Sequence, residues 1–393
     1  MKYRGIGKNM KTQLTSIDLC ILAKELDKIL SSARIDKVYQ IGKRELKLKV
    51  HVSGTGYREL IIAPGYVCIT QFPRKVPEKP SPFAMQLRKN LSGGFIRGVR
   101  QHNFDRILEF LIEKKDGKFL LIAEFFSRGN VILCDHEGKI LGLLEWQEWK
   151  DRKLVVGRRY EYPPEVKNPL EINSSSFKKI LGSSEKKLVV VMAIDMGLSG
   201  VYAEEVCLIS KIEKERNCNE LSNNEVDILF DFFKKVIEKI KGEEIKPMMI
   251  LKEGKPVDVI PFDLRIYENF ERKEFESFNE AVDEYFSKEE FAEIQKEKEE
   301  KFQEELKKLR GIEEKQKRTI EKLEKKSLKY REIGDLIYQN FQVIEKILRV
   351  IKEERKKGGS WEDIQKKFAG KELGGIKIEK IDKKGYIILC TPQ

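Results

Sequence analysis

The chain lacks the marks of a membrane or secreted protein. It contains no apolar run of the roughly eighteen residues that a membrane-spanning helix needs. Its basic start, MKYRGIGKNMK, is not followed by the apolar core of a secretory signal. The sequence therefore predicts a cytoplasmic protein with no membrane partner.

Cysteine and histidine are few and scattered. Six cysteines and three histidines are spread over 393 residues, and none has the CxxC or Cys/His spacing of a zinc site. We therefore predict no metal, no cofactor and no disulfide framework, with free thiols in a reducing compartment. His51, His102 and His136 lie far apart along the chain, and we expect structural or surface roles for them, although folding can bring such residues together.

The short motifs of nucleotide and acyl chemistry are also missing. The sequence contains no GxxxxGK[ST], no GxGxxG after a strand and no GxSxG. Acidic pairs are numerous, but most fall in a charged helical segment, where they solvate one face. Catalysis is not excluded by these absences, but nothing requires it, and we predict a protein that is not an enzyme.

Positive charge, in contrast, is abundant. Lysine and arginine number 77 against 65 acidic residues, which gives a net charge of +12. Such an excess favours a polyanionic partner, and nucleic acid is the commonest. The alternative is a highly charged protein from a hot environment, in which Lys and Glu are both enriched. The 40% apolar fraction is enough to build cores for two or three domains.

The periodicity of the chain predicts an α+β fold in several parts. A helix over residues 16–33 with Ser16 as its cap is followed by short alternating strands, which favour an antiparallel β-sandwich or partly closed barrel within residues 1–168. Residues 169–246 read as a helical domain, and residues 247–286 as a β connector.

The helical domain contains a glycine-bearing turn. Gly197 and Gly200 separate two helical patterns, which is typical of a helix-hairpin-helix motif whose turn amides can hold a phosphate. An ordinary helix–helix connection is the alternative. Ser176 and Ser184 stand where helix caps are expected.

The last third of the chain changes character. Apolar residues in 4–3 spacing from Phe302 to Ile351 predict a coiled-coil arm over residues 287–357, and residues 358–393 read as a small α/β tip. An apolar stripe of this length needs a second helix. Either the chain forms a homodimer through the arm, or the natural protein continues beyond Gln393 and supplies a return helix; the second is favoured.

One basic segment, residues 83–106, carries the strongest functional signal. Its cations are interleaved with apolar residues and suit a phosphate backbone; they are Arg88, Lys89, Arg97 and Arg100. The segment ends in the neighbours Asp105 and Arg106. They can be a strand-end ion pair of little energetic value. Alternatively, Arg106 presents its planar guanidinium to phosphate or a base, and Asp105 orients it or accepts a hydrogen bond from a base amino group or a 2′-hydroxyl.

Six segments occur in an order that resembles the NFACT family of ribosome-associated quality-control proteins, whose bacterial members were formerly described as fibronectin-binding proteins. The segments are MKTQLTSIDLCILAKEL, PSPFAMQLRKNLSGG, NFDR, AEFFSRGNVILCD, GLSGVYAEEVC and SFNEAVDEYF. The resemblance implies a factor that binds an obstructed large ribosomal subunit, contacts peptidyl-tRNA and rRNA, and recruits tRNA for template-free, alanine-type C-terminal tailing. The ribosome would perform the peptide transfer.

The resemblance also implies site residues. The N-terminal module would contact the tRNA anticodon arm through positions that match functional family positions; these are Asp18, Asp105, Arg106 and Glu124. Phe125 replaces an aliphatic residue that is frequent in relatives. Arg88 and Lys89 match the LRK motif of the family and are expected to contact phosphate.

The chain departs from the family pattern at both ends. Nine residues precede the family-like start at Met10, and the sequence stops before the return helix and the C-terminal RNA-binding domain that relatives carry. We therefore expect a fragment that keeps tRNA binding and loses much of its grip on the ribosome.

Three other functions remain as alternatives. The N-terminal module of the family resembles formamidopyrimidine-DNA glycosylases, so a DNA-repair lyase is one, although the sequence lacks the N-terminal proline nucleophile and the cysteine-rich zinc finger. The second is a non-catalytic RNA-binding scaffold. The third, an adhesin, is disfavoured by the missing export signal.

Overall fold

The computed structural model describes residues 10–149, 152–242 and 245–391, with the backbone alone for residues 289–301. It divides into two compact units, Met1–Lys296 and Glu297–Gln393, which we describe one at a time. Within the described residues, no helix combines the length and the apolar character that crossing a bilayer requires.

Helix α1 (Ser16–Leu30) opens the first unit. The Thr15 hydroxyl accepts from the Asp18 backbone N–H at 3.2 Å, and the Asp18 carboxylate accepts from the Thr15 N–H at 2.7 Å. This reciprocal pair is a capping box. Thr15 is therefore the cap, and the prediction of Ser16 was wrong by one residue because Asp18 completes the box only with Thr15.

Antiparallel strands follow, and nine of them form one sheet among the described residues, in the order β4-β3-β2-β1-β5-β6-β7-β8-β9. One helix interrupts them. The elements are β1 (Arg34–Ile41), β2 (Glu45–Val52), β3 (Gly56–Ile62), β4 (Val67–Thr70), α2 (Pro82–Leu91), β5 (Phe95–Gln101), β6 (Ile107–Lys114), β7 (Gly117–Glu124), β8 (Asn130–Asp135) and β9 (Ile140–Leu143).

Hydrogen bonds join all nine strands into one sheet, and the predicted sandwich or barrel stays a prediction. Two meanders, β1–β4 and β5–β9, meet where β1 adjoins β5 through the single register pair Arg34 and Phe95. Backbone bonds from Ile35 N–H to the Gly94 carbonyl and from Ile96 N–H to the Ala33 carbonyl, at 2.8 and 2.9 Å, continue the ladder across this joint. The two meanders are therefore one hydrogen-bonded sheet, and its order is linear in the part of the chain that the structure describes.

Both faces of the second meander are covered. One face packs on α1 within the main core, and the other carries a smaller apolar cluster built around Ile107, Ile122 and Tyr160. The segment that covers this second face includes the short hairpin β10 (Gln147–Glu148) and β11 (Lys153–Leu154).

Helices occupy most of the range predicted for the helical domain, residues 169–246. Its helices are α3 (Ser174–Gly182), α4 (Leu188–Val190) continued by a π-helical turn over Val191–Asp195, α5 (Gly200–Ser210) and α6 (Asn223–Lys241). Asn173 caps α3 through the Ser176 N–H, so Ser176 lies inside the helix and is not its cap. Ser184 is not a cap either, because its hydroxyl accepts only from the nearby Lys186 N–H, at 3.2 Å.

Residues 247–286 contain more than a connector. Strands β12 (Met248–Lys252), β13 (Lys255–Ile260) and β14 (Glu271–Glu274) form a small sheet in the order β13-β12-β14. Helix α7 (Phe278–Gln339) then begins inside the range predicted for the connector. The Glu25 carboxylate accepts from the Phe278 and Asn279 N–H groups, at 2.9 and 2.8 Å, and so caps this helix from a distance.

The second unit contains the rest of α7 and a small α/β module. Its further elements are α8 (Phe341–Lys356), α9 (Trp361–Phe368), β15 (Glu372–Leu373), β16 (Ile376–Ile381) and β17 (Ile387–Cys390). Ile351 packs with Ile364 and Ile378 in the core of the module. Helix α8 therefore packs with the elements of the predicted tip, and the predicted boundary at residue 358 stays a prediction.

The long helix is present over most of the predicted arm, but its apolar stripe stays open. Leu309, Ile320 and Ile337 are 57%, 54% and 49% exposed among the described residues. A coiled-coil partner and a homodimer through this helix therefore stay predictions.

Candidate nucleic-acid interface

The candidate site is built around the loop of residues 102–106, which joins β5 to β6. Asn103 and Phe104 have φ angles of 40° and 58°, and left-handed backbone costs a non-glycine residue about 1–3 kcal/mol. Phe104 is buried in the main core, which helps to offset this cost. The loop thus has a conformation that its surroundings impose.

Two sets of contacts hold the loop. The Gln101 amide donates to the Ser16 and Asp105 carbonyls, both at 2.8 Å, and so ties the loop to the start of α1. The Asp105 N–H donates to the His102 carbonyl at 2.8 Å, which closes the turn. Asp105 and Arg106 therefore occupy fixed positions.

Asp105 and Arg106 lie at the surface, but they do not form an ion pair. Asp105 Oδ1 accepts from the Arg106 backbone N–H at 2.7 Å. The Arg106 guanidinium instead donates from Nη1 to Gln13 Oε1 at 3.0 Å. Both side chains are half-buried and not sealed inside the module. The expectation that Asp105 orients the guanidinium was wrong, and Gln13 does so.

A row of arginines continues from Arg106. Gln13 also donates to the Ser127 carbonyl at 3.2 Å, next to the exposed Arg128. The Arg128 carbonyl in turn accepts from Arg44 Nη1 at 2.7 Å. We call Arg44, Arg106 and Arg128, with Gln13 between them, the cationic rim.

The charge of the rim is only partly neutralised. Arg44 forms an ion pair with Glu145. Arg106 and Arg128 have no carboxylate partner among the residues that the structure describes. Two guanidinium groups therefore keep their full positive charge for a ligand such as phosphate.

Two other predicted cations are already paired. Arg97 donates to Glu113 at 2.7 Å, and Arg100 donates to Glu109 at 2.6 Å. Because each guanidinium faces a carboxylate, its attraction for phosphate is weaker than the sequence indicates. Their predicted RNA contacts stay untested.

The Glu109 carboxylate also fixes the loop from below. It is fully buried, and it accepts from His102 Nδ1 at 3.1 Å and from the Tyr162 hydroxyl. His102 and Tyr162 stack with ring centroids 3.5 Å apart. Burial, and then the bond to Glu109, raise the pKa of the Tyr162 phenol, so Tyr162 remains a proton donor at neutral pH.

Glu124, predicted to contact RNA, is buried at the end of β7. It forms an ion pair with Arg152 and accepts from the Tyr160 hydroxyl at 2.7 Å. Burial first, and then the Glu124 charge, raise the pKa of Tyr160. Phe125 is also fully buried. The structure thus places both side chains inside the module, beneath the surface that carries Arg106.

Asp18 is buried as well. Its carboxylate pairs with Lys11 Nζ at 2.8 Å and accepts from the Tyr202 hydroxyl at 2.9 Å. Lys11 also pairs with Asp258 at 2.9 Å. Burial lowers the pKa of Lys11, but the two carboxylates outweigh this effect and the pKa is raised. Asp18 therefore joins α1 to α5 and β13, and its predicted contact with RNA does not fit this enclosed position.

The LRK residues differ from each other. Arg88 donates from Nε to the Val38 carbonyl at 2.7 Å, and its guanidinium lies 4.9 Å from the Tyr39 ring centroid. These contacts fasten α2 to β1. The side chain of Lys89 is exposed, and its phosphate contact stays a prediction.

The glycine turn of the helical domain packs tightly on the segment that precedes it. Gly197 has a φ angle of 76°, and a Cβ there would lie 2.6 Å from the Lys167 carbonyl oxygen. Glycine is therefore required for packing at this position. Gly200 begins α5 and has open space around it. A phosphate contact at the turn stays a prediction.

The structure brings some predicted residues together and adds others. Ile107 pairs in register with Glu124, and the Phe125 N–H donates to the Arg106 carbonyl at 2.8 Å. Sequence reasoning missed Gln13 and Arg128. A basic residue in the Ser-Arg-Gly turn could have indicated Arg128, whereas no pattern marks Gln13.

Fold and sequence define the class of protein. The family model described as NFACT N-terminal and middle domains matches residues 15–366. The chain belongs to the NFACT family, as its six ordered segments predicted.

Individual relatives agree. The chain is 34% identical over 369 residues to "Archaeal Rqc2 homolog aRqcH" of Methanocaldococcus jannaschii, covering 91% of this chain and 54% of that protein. It is 33% identical over 154 residues to "Ribosome quality control complex subunit 2" of Saccharomyces cerevisiae, covering 39% of this chain and 14% of that protein. The chain thus spans about half of the first relative's length and far less of the second.

A solved structure shares the fold. The N-terminal part of the fibronectin/fibrinogen-binding protein from Streptococcus suis superimposes with a TM-score of 0.54 at 25% identity. The match covers 70% of this chain and 100% of that one. The predicted likeness to formamidopyrimidine-DNA glycosylases remains a prediction.

Proposed function

We propose that this chain acts in ribosome-associated quality control as a tRNA-binding factor, and that the cationic rim is part of its tRNA contact. The proposed partners are the obstructed large ribosomal subunit and a tRNA recruited for C-terminal tailing. In this proposal the protein positions the tRNA, and the ribosome transfers the peptide. The names of the relatives support a role in ribosome quality control, and the cationic rim supports tRNA as the ligand.

The observation that carries the proposal is the state of Arg106. Its guanidinium is anchored by the neutral amide of Gln13 at 3.0 Å, so it is held in place without losing its charge. A preorganised guanidinium binds a phosphate or a guanine edge with less entropic cost than a free one. The fixed 102–106 loop, secured by Gln101 and Glu109, supplies the rigid support that such a contact needs.

A binding assay with charge-matched variants tests the proposal. We expect Arg106→Ala to weaken tRNA binding by about 1–3 kcal/mol, the usual value of a specific arginine contact to nucleic acid. Filter binding with purified tRNA measures the affinity, and a thermal melt of the same sample shows whether the module remains folded.

Arg58→Ala is the matched control. Arg58 is exposed and lies on β3, paired with Val50 toward the far hairpin of that meander. The Arg58→Ala substitution removes the same positive charge and leaves every residue of the cationic rim in place. Equal effects of the two substitutions would mean that net charge, and not the rim, determines binding.

A further inference from the structure

Two tryptophans lie open to solvent near the cationic rim. Trp146 and Trp149 are 60% and 41% exposed, in the segment that runs from β9 through β10 toward β11. Burying indole surface is favourable, and tryptophan is among the residues most enriched in binding sites. The third tryptophan, Trp361, packs instead against the core of the second unit.

The segment that carries Trp146 is rigidly held. The Asn130 amide donates to the Glu145 carbonyl at 2.8 Å and to Gln147 Oε1 at 3.1 Å, and Asn130 Oδ1 accepts from the Glu145 N–H at 3.1 Å. Glu145 and Gln147, the two neighbours of Trp146, are thus hydrogen-bonded to Asn130, the first residue of β8. An aromatic ring on such a support loses little entropy when a ligand stacks on it.

Trp149 is supported in a different way. The backbone N–H of Trp149 donates to the Arg152 carbonyl at 2.8 Å. The Arg152 guanidinium lies 5.5 Å from the centroid of the Trp149 ring. The same guanidinium pairs with the buried Glu124. Arg152, which contacts Trp149, is therefore anchored in the interior of the module by its ion pair with Glu124.

Direct contacts connect this patch to Arg106. Arg106 bonds to Gln13, and Gln13 bonds to the Ser127 carbonyl. The next residue, Arg128, accepts from Arg44, which pairs with Glu145, the residue before Trp146. The segment that begins at Glu145 is therefore linked to Arg106 through a chain of contacting residues.

The charges on this surface select the occupant. Nearby Lys153 pairs with Glu148, whereas Arg106 and Arg128 have no carboxylate partner among the described residues. Two exposed aromatic rings, together with two guanidinium groups that have no carboxylate partner among the described residues, complement a strand that alternates planar bases with phosphates. An apolar protein segment would leave both guanidinium groups without a counter-charge.

We infer that Trp146 and Trp149 form a base-stacking platform for unpaired nucleotides of an RNA whose phosphates contact Arg106 and Arg128. This inference rests on the proposed function and adds to it the class of RNA element that is bound. Bases in a duplex are stacked on each other, so only loop or single-stranded nucleotides present a free face to an indole ring.

Tryptophan fluorescence tests the platform. Because the chain has three tryptophans, Trp361→Phe leaves Trp146 and Trp149 as the only indole reporters. The probe is an oligouridylate of about twelve nucleotides, within the usual span of a single-strand site. We expect the oligouridylate to quench the emission, and an RNA duplex of equal length to quench it much less.

Substitutions give the energetic test. We expect Trp146→Ala and Trp149→Ala each to weaken oligouridylate and tRNA binding by about fivefold or more, as for loss of one stacked base. The phenylalanine variants at both positions keep a ring and should retain much of the affinity. Tyr57→Ala, at a side chain that is 53% exposed on β3, is the control and should bind like the parent.

The outcomes separate the two proposals. If Arg106→Ala weakens tRNA binding while the alanine variants at the tryptophans bind normally and no quenching occurs, the platform is wrong and the proposed function stands. If neither Arg106→Ala nor the tryptophan variants change tRNA affinity, the proposed tRNA site fails as well. A thermal melt detects unfolding in an alanine variant, in which case the phenylalanine variants and the quenching decide.

Discussion

Asp105 holds the backbone of Arg106, and not its guanidinium: Oδ1 accepts the Arg106 amide hydrogen at 2.7 Å. The neighbouring charges therefore do not neutralise each other through a direct ion pair. Asp105 acts on the shape of the loop, and Arg106 is left with Gln13 as its side-chain partner. This arrangement separates the role of the acid from that of the base, and each can be tested alone.

The first prediction separates shape from charge at Asp105. Asp105→Asn keeps an Oδ1 acceptor for the Arg106 N–H, so we expect tRNA affinity close to that of the parent. Asp105→Ala removes the acceptor and should weaken binding through a misplaced Arg106, by about 1 kcal/mol for one lost hydrogen bond. Filter binding of both variants checks this. Equal losses in the two variants would show that the negative charge itself contacts the RNA.

The second prediction concerns Asp18. Asp18→Ala removes one of the two carboxylates that pair with Lys11, so that Asp258 alone remains. It also removes the acceptor of the Tyr202 hydroxyl. Breaking such a buried network costs about 3–5 kcal/mol. Chemical denaturation should show this loss of stability, with tRNA binding retained wherever the variant is still folded. A stable Asp18→Ala protein that no longer binds tRNA would restore a direct role for Asp18.

The third prediction is a pH dependence at the start of α6. Glu225 bonds to Arg216 and to the Ser222 N–H, at 2.5 and 2.8 Å. The Arg216 bond, followed by the Ser222 bonds, lowers the pKa of Glu225 from 4.5 to about 2. The Glu225 carboxylate therefore binds a proton less readily in the folded state than in the unfolded state. The contribution of Glu225 to the free energy of unfolding is present above pH 4.5 and is lost as the pH falls toward 2.

Glu225→Gln should flatten the fall in stability over that pH range. Denaturant titrations at a series of pH values between 5 and about 3 measure this slope. Glu238→Gln makes the same charge change at an exposed site on the same helix and serves as the control. An unchanged slope in Glu225→Gln would show that the Arg216 contact does not persist in solution.

The fourth prediction is the salt dependence of tRNA binding. Phosphate contacts release counterions, so log K should fall linearly with log salt. Arg106→Ala should reduce the slope by about 0.7–0.9, the value of one phosphate contact. Filter binding at several potassium chloride concentrations gives both slopes. A flat titration for the parent would point to a partner that is not held by charge.

The fold was partly predictable because local patterns determine local structure. The face of α1, the antiparallel strands and the basic α2 follow from spacing and caps, and these elements are present. The single sheet was not predictable, since the joint between β1 and β5 rests on the one register pair Arg34 and Phe95. No periodicity within either strand marks such a pairing.

The site shows the same division between local and long-range information. The basic segment and then the family likeness led to Arg106, which lies at the surface. The likeness could not show that Asp18 and Glu124 are buried, because their partners Tyr202 and Arg152 lie 184 and 28 residues away in sequence. Conversely, Gln13 orients Arg106 from 93 residues away, and only the fold reveals that contact.

Site-specific crosslinking in the ribosome-bound complex tests the central claim most directly. A photoreactive amino acid is placed at Arg106, at Arg128 or, as the control, at Arg58, and the crosslinked RNA is sequenced. The account predicts crosslinks from positions 106 and 128 to nucleotides of the tRNA anticodon arm, and none from position 58. Crosslinks from position 58 alone, or from positions 106 and 128 only to protein, would contradict it.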